Sequence, residues 1–202
     1  DAHIISVASS LEAVTELANI GAQERCAIHL DLGLNRFGVK FQNVKDLIRK
    51  IRPRNAADFL VLSHLSHADK SKSVENQRQM ARLLEVKREF IDFTYSISGS
   101  AGIINNNSFN MDVVRAGISL FGATSTDSDR MNKFRNAICL RAPILQVKNL
   151  KAGEGVGYSH KFVATDSVIL GTAKIGYADG VNRALLDKEF YAFFGDYKCR
   201  IV

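Results

Sequence analysis

The sequence predicts an α/β fold in which a parallel strand–helix region is followed by a β-rich region. Over residues 1–126, short apolar strands alternate with amphipathic helical segments, a pattern typical of βα units and a parallel sheet. After about residue 127 long helices are no longer predicted, and strand-like runs interrupted by Gly and Asp indicate a second domain over 127–202. With 202 residues, 46% of them hydrophobic, the chain is long enough to bury a substantial core.

The strands of the first region are predicted from apolar runs. These runs cover residues 3–8, 26–32, 58–65, 92–98 and 111–122. The first helix has Ser9 at the N-cap position with Glu12 three residues later, and Gly21 is its stop. Two further amphipathic helices cover 43–52 and 73–90. The strand-like runs of the second region cover 137–150, 160–176 and 189–202.

Composition argues against several classes of function. The net charge of +6 and the pI near 9.3 suggest a nucleic-acid partner, but Lys and Arg are interspersed with acids and form no basic patch containing aromatic residues. No apolar run approaches the ~20 residues that a membrane span requires. Three distant cysteines without CxxC spacing favour a reduced, cytoplasmic protein. Because the chain lacks an initiator Met and stops in a strand-like run, we expect a fragment.

Polar residues follow the predicted strands at their carboxyl ends. They are Asp31 and Arg36, His64, Ser98 and Ser100, and Arg115 and Gly117. In a parallel (β/α) barrel these ends converge on one face, where the active site lies. The small residues of 98–102 and 115–119 would let backbone N–H groups approach a phosphate, although ordinary turn chemistry explains each loop equally well.

Other interpretations of these residues remain open. His64, His67 and Asp69 have an HxxHxD spacing, but the sequence offers no further clear ligand, so we expect no metal. Tyr158, considered alone, would be a core or interface tyrosine. Arg115 could be structural, paired at the surface with an acid such as Asp112.

Six ordered motifs resemble bacterial alanine racemases over nearly the whole chain. They are "LDLGLNRFGV", "SHLSHAD", "SGSAG", "VVRAGISLFG", "GEGVGYSHKF" and "IGYADGVNR". The resemblance implies the later part of a (β/α)8 TIM-type barrel over 1–126 and the N-terminal portion of a β domain over 127–202. It also implies a pyridoxal 5'-phosphate enzyme that interconverts L-alanine and D-alanine and supplies D-alanine for peptidoglycan.

The resemblance assigns catalytic roles to three residues. Tyr158 matches the tyrosine that exchanges a proton with the substrate Cα, and His64 matches the histidine that contacts this tyrosine. Arg115 matches the arginine that faces the pyridine nitrogen of the cofactor. A guanidinium keeps its proton, so it would donate to that nitrogen without protonating it.

The resemblance also assigns binding roles. Arg36 matches an arginine near the substrate carboxylate, a role suited to a planar fork of donors. Tyr177 matches an aromatic residue at the entrance of the substrate channel. The phosphate contacts correspond to Ser100, Gly117 and Ile118. In the family each site is shared across a homodimer, so we expect Tyr158 to lie far from His64 within one chain and near it across the interface.

The chain also departs from the family pattern. Nothing matches the Schiff-base lysine, the second base, which we expect outside this chain, so that the 202 residues alone would be inactive. His29 stands where many relatives carry a carbamylated lysine, and Gly99 replaces an asparagine. A broad-specificity amino-acid racemase and a non-catalytic, incomplete pyridoxal-phosphate barrel remain alternatives.

Overall fold

A computed structural model describes residues 4–20, 26–51, 55–123, 134–182, 184 and 190–202. The chain divides into two compact units, Asp1–Ile138 and Cys139–Val202. The domain boundary predicted at 126/127 and the helix stop predicted at Gly21 lie outside the described residues.

A parallel sheet forms the centre of the first unit. Its strands are β1 (Ser6–Ala8), β2 (Cys26–Asp31), β3 (Val39–Lys40), β4 (Leu60–Leu62) and β5 (Thr94–Ser96). Four strands pair in the order β1-β2-β4-β5, and β3 adds to β2. All these pairings are parallel, and the order along the sheet follows the order along the chain, as in an arc of a barrel. The carboxyl ends of β2, β4 and β5 therefore lie side by side.

Helices follow the strands along the chain and pack against this sheet. They are α1 (Leu11–Asn19), α2 (Phe41–Ile51), α3 (Val74–Glu89) and the short α4 (Ser100–Asn105), with 3₁₀ turns at Ala56–Asp58, Asn107–Phe109 and Ile118–Phe121. Apolar side chains of β2, β4, β5 and the helices form one buried cluster, which includes Ile28, Leu30, Val61, Leu83 and Tyr95. Cys26, Ala27, Ile28 and Leu30 are all buried, because a parallel strand is covered on both faces.

The structure corrects the predicted start of the first helix. The backbone N–H of Ala13 donates to Ser10 Oγ at 3.1 Å, and the N–H of Val14 donates to the Ser10 carbonyl. Ser10 is therefore the N-cap, and the prediction of Ser9 was wrong by one residue. The two adjacent serines offer the same side-chain acceptor, so only the backbone geometry distinguishes them.

The strand predicted over 111–122 is wrong as well. In this segment Arg115 alone forms a bridge, parallel to Gly99, and residues Ile118–Phe121 form a 3₁₀ turn. The N–H of Arg115 still donates to the Ser98 carbonyl, but the N–H groups of Gly117 and Ser119 turn to the side chain of Ser100. A side-chain acceptor thus replaces the strand partner that would continue the ladder.

The second unit is β-rich, as predicted. Its strands are β6 (Ile144–Leu150), β7 (Gly155–Val156), β8 (Phe162–Val163), β9 (Val168–Ala173), β10 (Tyr191–Phe194) and β11 (Tyr197–Arg200). Each pairs antiparallel with one partner: β6 with β9, β7 with β8, and β10 with β11. The described residues of this unit contain 3₁₀ turns at Tyr158–His160 and Tyr177–Asp179 but no α-helix.

Candidate active site

The loop after β2 is folded back sharply against its own strand. Asp31 Oδ1 accepts from the N–H groups of Gly33 at 3.1 Å and Asn35 at 2.9 Å, and Asn35 adopts a positive φ of 56°. Gly38 has a φ of 117°, and a Cβ there would lie 2.6 Å from the Asp31 nitrogen. Only glycine suits that position. The acid and glycines that end the strand thus build a tight loop, with Arg36 exposed on it.

Arg115 lies where the ends of β4 and β5 meet. Its Nη1 donates to Ser96 Oγ, and its Nη2 donates to the Ser63 carbonyl and lies 3.3 Å from His64 Nδ1. Ser63 and Ser96 are almost fully buried. The guanidinium is therefore fixed by groups that belong to two neighbouring strand ends, and it is oriented against the imidazole of His64.

The surface ion pair considered for Arg115 does not form. Asp112 instead accepts from Lys87 Nζ at 2.9 Å and from the backbone N–H of Tyr95 at 2.9 Å. These contacts lower the pKa of Asp112 against the opposing effect of its burial. Ser96, the Ser63 carbonyl and His64 are neutral partners for Arg115, and no carboxylate among the described residues forms an ion pair with its guanidinium.

The contact with Arg115 indicates the tautomer of neutral His64. A guanidinium nitrogen can only donate, so His64 Nδ1 is the acceptor and the ring proton of the neutral imidazole is on Nε2. Burial, followed by the charges of Arg115 and Arg36, lowers the pKa of His64 below its ordinary value of 6.5. His64 is therefore neutral at neutral pH and has an Nε2–H available for donation.

A second histidine shares this positive environment. His29 lies on β2, in register with Leu62 of β4, and is half-buried. Burial lowers its pKa first, followed by the charges of Arg115, His64 and Arg36, while Asp31 opposes them. The permanent charges of Arg115 and Arg36 outweigh that of Asp31 in their effect on His29, and burial also lowers the pKa of Arg115. Such a site favours an anion.

Hydroxyl and backbone N–H groups cluster beside β5. Ser100, 8% exposed, accepts through Oγ from the N–H groups of Gly117 at 2.8 Å and Ser119 at 3.3 Å, and Ser119 Oγ lies 3.1 Å away. Ile118, between them, is exposed. The predicted loop 98–102 thus begins α4 and meets the segment 117–119. These N–H groups and the Ser119 hydroxyl donate to Ser100 Oγ here, and a phosphate oxygen could replace that oxygen as their acceptor.

Gly99 lies directly against His64. A Cβ at position 99 would come within 3.0 Å of His64 Cε1, although the backbone there (φ −91°) is open to any residue. Glycine at position 99 therefore leaves room for the imidazole in its place beside Arg115.

The second unit brings two predicted residues together. Tyr158 and Tyr177 line one shallow pocket together with Lys161 and Arg200, and both tyrosines are largely exposed. Tyr158 belongs to a strained turn in which Gly157, Ser159 and His160 all have positive φ. Such strain often marks functional turns, and here it presents the phenol ring to solvent.

The HxxHxD segment does not gather into a ligand set. Ser66 Oγ lies 2.9 Å from His67 Nδ1 and occupies that ring nitrogen. In the part of the chain that the structure describes, no three His, Cys, Asp or Glu side chains are grouped as metal ligands. Within the same residues, no helix has the length and apolarity needed to cross a bilayer.

Sequence reasoning missed Ser63 and Ser96, which hold Arg115. Both are small hydroxyl residues within predicted strands, and this was the one available signal. It does not indicate the partner, because Ser63 and Arg115 are 52 residues apart. Sequence reasoning also missed Ser119, which completes the hydroxyl cluster.

Solved structures resemble the chain over nearly its full length. The alanine racemase of the D-cycloserine-producing Streptomyces lavendulae matches with a TM-score of 0.79 at 23% identity, covering 99% of this chain and 57% of that one. The Bartonella henselae alanine racemase, solved with covalently bound pyridoxal phosphate, matches with a TM-score of 0.73 at 24% identity, covering 99% and 58%. These proteins combine a TIM barrel with a β domain, so the first unit is part of such a barrel and the second is part of the β domain.

Sequence comparison gives the family. The biosynthetic alanine racemase of Agrobacterium fabrum is 34% identical over 161 residues, which are 79% of this chain and 41% of that protein. The chain spans about half the length of the curated relatives it matches. The family model for the alanine racemase N-terminal domain matches residues 1–125, and that for the C-terminal domain matches residues 137–202. The chain, with its Arg115–His64 pair at the strand ends, therefore belongs to the alanine racemase family.

Proposed function

We propose that the chain provides part of the active site of an alanine racemase that interconverts L-alanine and D-alanine with pyridoxal 5'-phosphate. The observation that carries the proposal is the guanidinium of Arg115, which is fixed between Ser63 and Ser96, directed at His64 and without an ion-pair partner among the described residues. It lies in a cationic site at the ends of parallel strands, and the family models match both parts of the chain.

The residues present suit this cofactor. The hydroxyl and N–H cluster of Ser100 and Gly117, with the backbone of Ile118, would hold the phosphate. Arg115 would donate to the pyridine nitrogen, and the excess positive charge of the site favours a cofactor with an anionic phosphate. When bound, pyridoxal phosphate withdraws electrons from the substrate Cα and makes its proton acidic.

Arg115 would control how the reaction proceeds once that proton is lost. Burial lowers the pKa of its guanidinium, which nevertheless remains charged, as guanidinium groups do in proteins. It therefore donates a hydrogen bond to the ring nitrogen and keeps its own proton. This weaker electron withdrawal favours return of the proton to Cα over side reactions such as transamination.

Tyr158 and His64 would move the proton. A free tyrosine has a pKa near ~10, so it acts as a base at neutral pH only when a donor stabilises the phenolate. Neutral His64 has that donor at Nε2, because Arg115 occupies Nδ1. Tyr158 then takes the Cα proton on one face of the substrate or returns it there.

The remaining assignments concern the substrate and the assembly. Arg36 would bind the substrate carboxylate, and Tyr177, which lines the same pocket as Tyr158, would border the entrance. In the proposed homodimer, Tyr158 of one subunit serves the site of the other. The enzyme would act in the cytoplasm and supply D-alanine for peptidoglycan.

The test uses the protein as its gene encodes it, supplied with pyridoxal phosphate and L-alanine, and measures D-alanine with D-amino-acid oxidase. We expect turnover that Tyr158→Phe lowers by at least about 100-fold, since a general base contributes about 10²–10⁴. The control is Tyr197→Phe, which alters an exposed tyrosine of the same unit. No turnover in the unmodified protein would favour the non-catalytic alternative, and equal turnover of several amino acids would favour the broad-specificity one.

A further inference from the structure

Three buried or half-buried carboxamides hold the loop that carries His64. This loop, residues 64–70, lies within the connection between β4 and α3. Asn76 and Gln79 reach it from α3, and Asn105 reaches it from α4. Asn76 and Gln79 are at most 1% exposed and lie on the same face of α3 as the apolar Leu83 and Val86. A polar group buried in an apolar layer is costly unless it is bonded, so the bonds of these amides are the reason they are tolerated.

Gln79 makes the contacts nearest to the site. Its Nε2 donates to the His64 carbonyl at 3.1 Å, and its Oε1 accepts from the Ser66 N–H at 2.9 Å and from Ser66 Oγ at 3.0 Å. One amide therefore binds the backbone on both sides of Leu65, which is itself buried. Neither an apolar nor a shorter side chain can make the same contacts.

Asn76 and Asn105 bind the loop farther from His64. Asn76 Oδ1 accepts from the His67 N–H at 3.2 Å, and its Nδ2 donates to the carbonyls of His67 at 2.7 Å and Lys70 at 3.1 Å. Asn105 donates to the Ala68 carbonyl at 2.8 Å and to the Asp69 carbonyl. Of the three amides, Gln79 therefore holds the backbone closest to His64, and Asn76 and Asn105 hold it farther along the loop.

We infer that Gln79 is a positioning residue for His64. Arg115 holds the imidazole from the site, and Gln79 holds the backbone of the same residue from the helix layer. Residue 64 lies beyond the end of β4 (Leu60–Leu62), so the Gln79 contact holds its backbone where β4 has ended. The catalytic consequence rests on the proposed function, but the positional one does not.

The first test measures the pKa of the His64 ring by NMR titration of its Hε1–Cε1 resonance. This resonance is assigned by its absence from the spectrum of His64→Gln. Gln79→Met preserves the length of the side chain but none of its hydrogen bonds. We expect the pKa of His64 to rise toward its ordinary 6.5, because the ring leaves its half-buried place beside Arg115. Leu83→Ala, one turn further along α3, is the control: it opens a cavity in the core and leaves the amides intact.

The inference is wrong if Gln79→Met and Leu83→Ala leave the His64 titration equally unchanged. If Gln79→Met does not fold, Gln79→Asn takes its place, since its shorter amide cannot reach His64 and Ser66 together and the same rise is expected. In the racemisation assay we expect kcat to fall about ten- to hundredfold in Gln79→Met, with little change in KM. Absence of racemisation in the unmodified protein would refute the proposed function and leave the titration result standing.

Discussion

Replacing Arg115 with Gln tests whether its charge keeps His64 neutral. Nη2 of Arg115 lies 3.3 Å from His64 Nδ1, so the two charges would be about 4 Å apart if the ring were protonated. Their repulsion is about 1 kcal/mol in water and about 4 kcal/mol at an effective dielectric constant near 20. Because both groups are half-buried, we take about 1–3 kcal/mol, so loss of the guanidinium should raise the pKa of His64.

The assay monitors the Hε1–Cε1 resonance of His64 from pH 4 to 9 in the unmodified protein and in Arg115→Gln. Arg36→Gln is the matched comparison and should raise the pKa of His64 by less, because Arg36 is the smaller of the two charge effects. The pKa of His29 should rise with that of His64 in Arg115→Gln, since Arg115 is the charge that lowers it most. An unchanged or lower His64 pKa would refute the contact between Arg115 and His64.

Three other perturbations have defined outcomes. Folding lowers the pKa values of His29 and His64, so the unfolded chain binds more protons than the folded one below about pH 6.5. As the pH is lowered from there through the folded-state pKa values, the free energy of unfolding should therefore decrease. Urea titrations should show a weaker pH dependence when both become Gln. Gly38→Ala should cost about 2–4 kcal/mol from left-handed strain and backbone overlap, whereas Gly171→Ala, which meets nothing closer than 3.8 Å, should change stability by less than about 1 kcal/mol; similar losses would contradict this. Ser100→Ala should weaken binding of pyridoxal phosphate about tenfold and leave that of pyridoxal unchanged, and equal losses would exclude Ser100 from the phosphate site.

The arrangement of strands and helices could be predicted from local patterns. Helices α2 and α3 lie within two residues of the predicted boundaries, because their apolar spacing and flanking residues are local properties. The prediction of a strand over 111–122 failed because the apolar run of this segment matches the pattern of a strand. Ser100, which lies 17 residues before Gly117 in the chain, supplies an acceptor that ends the ladder.

Some roles of individual site residues could likewise be predicted from the sequence, and others could not. The sequence was sufficient to expect that one edge of the sheet gathers His64, Ser100 and Arg115. Each follows a predicted parallel strand, and such strands end together. The sequence contained no sign that Asp112 pairs with Lys87 or that Arg115 contacts His64. Those contacts depend on which side chains meet across separate elements.

By itself, the sequence determined that this chain alternates strands with helices, turns β-rich in its second part and places polar residues at the strand ends. These features arise from side-chain periodicity and turn chemistry, which act over a few residues. Tertiary structure alone decided that Ser63 and Ser96 fix Arg115, that His64 is protonated on Nε2, and that Gln79 binds the His64 carbonyl. Hydrogen bonds and charge effects of this kind depend on distances between residues far apart in the chain, and the packing of the strands and helices sets those distances.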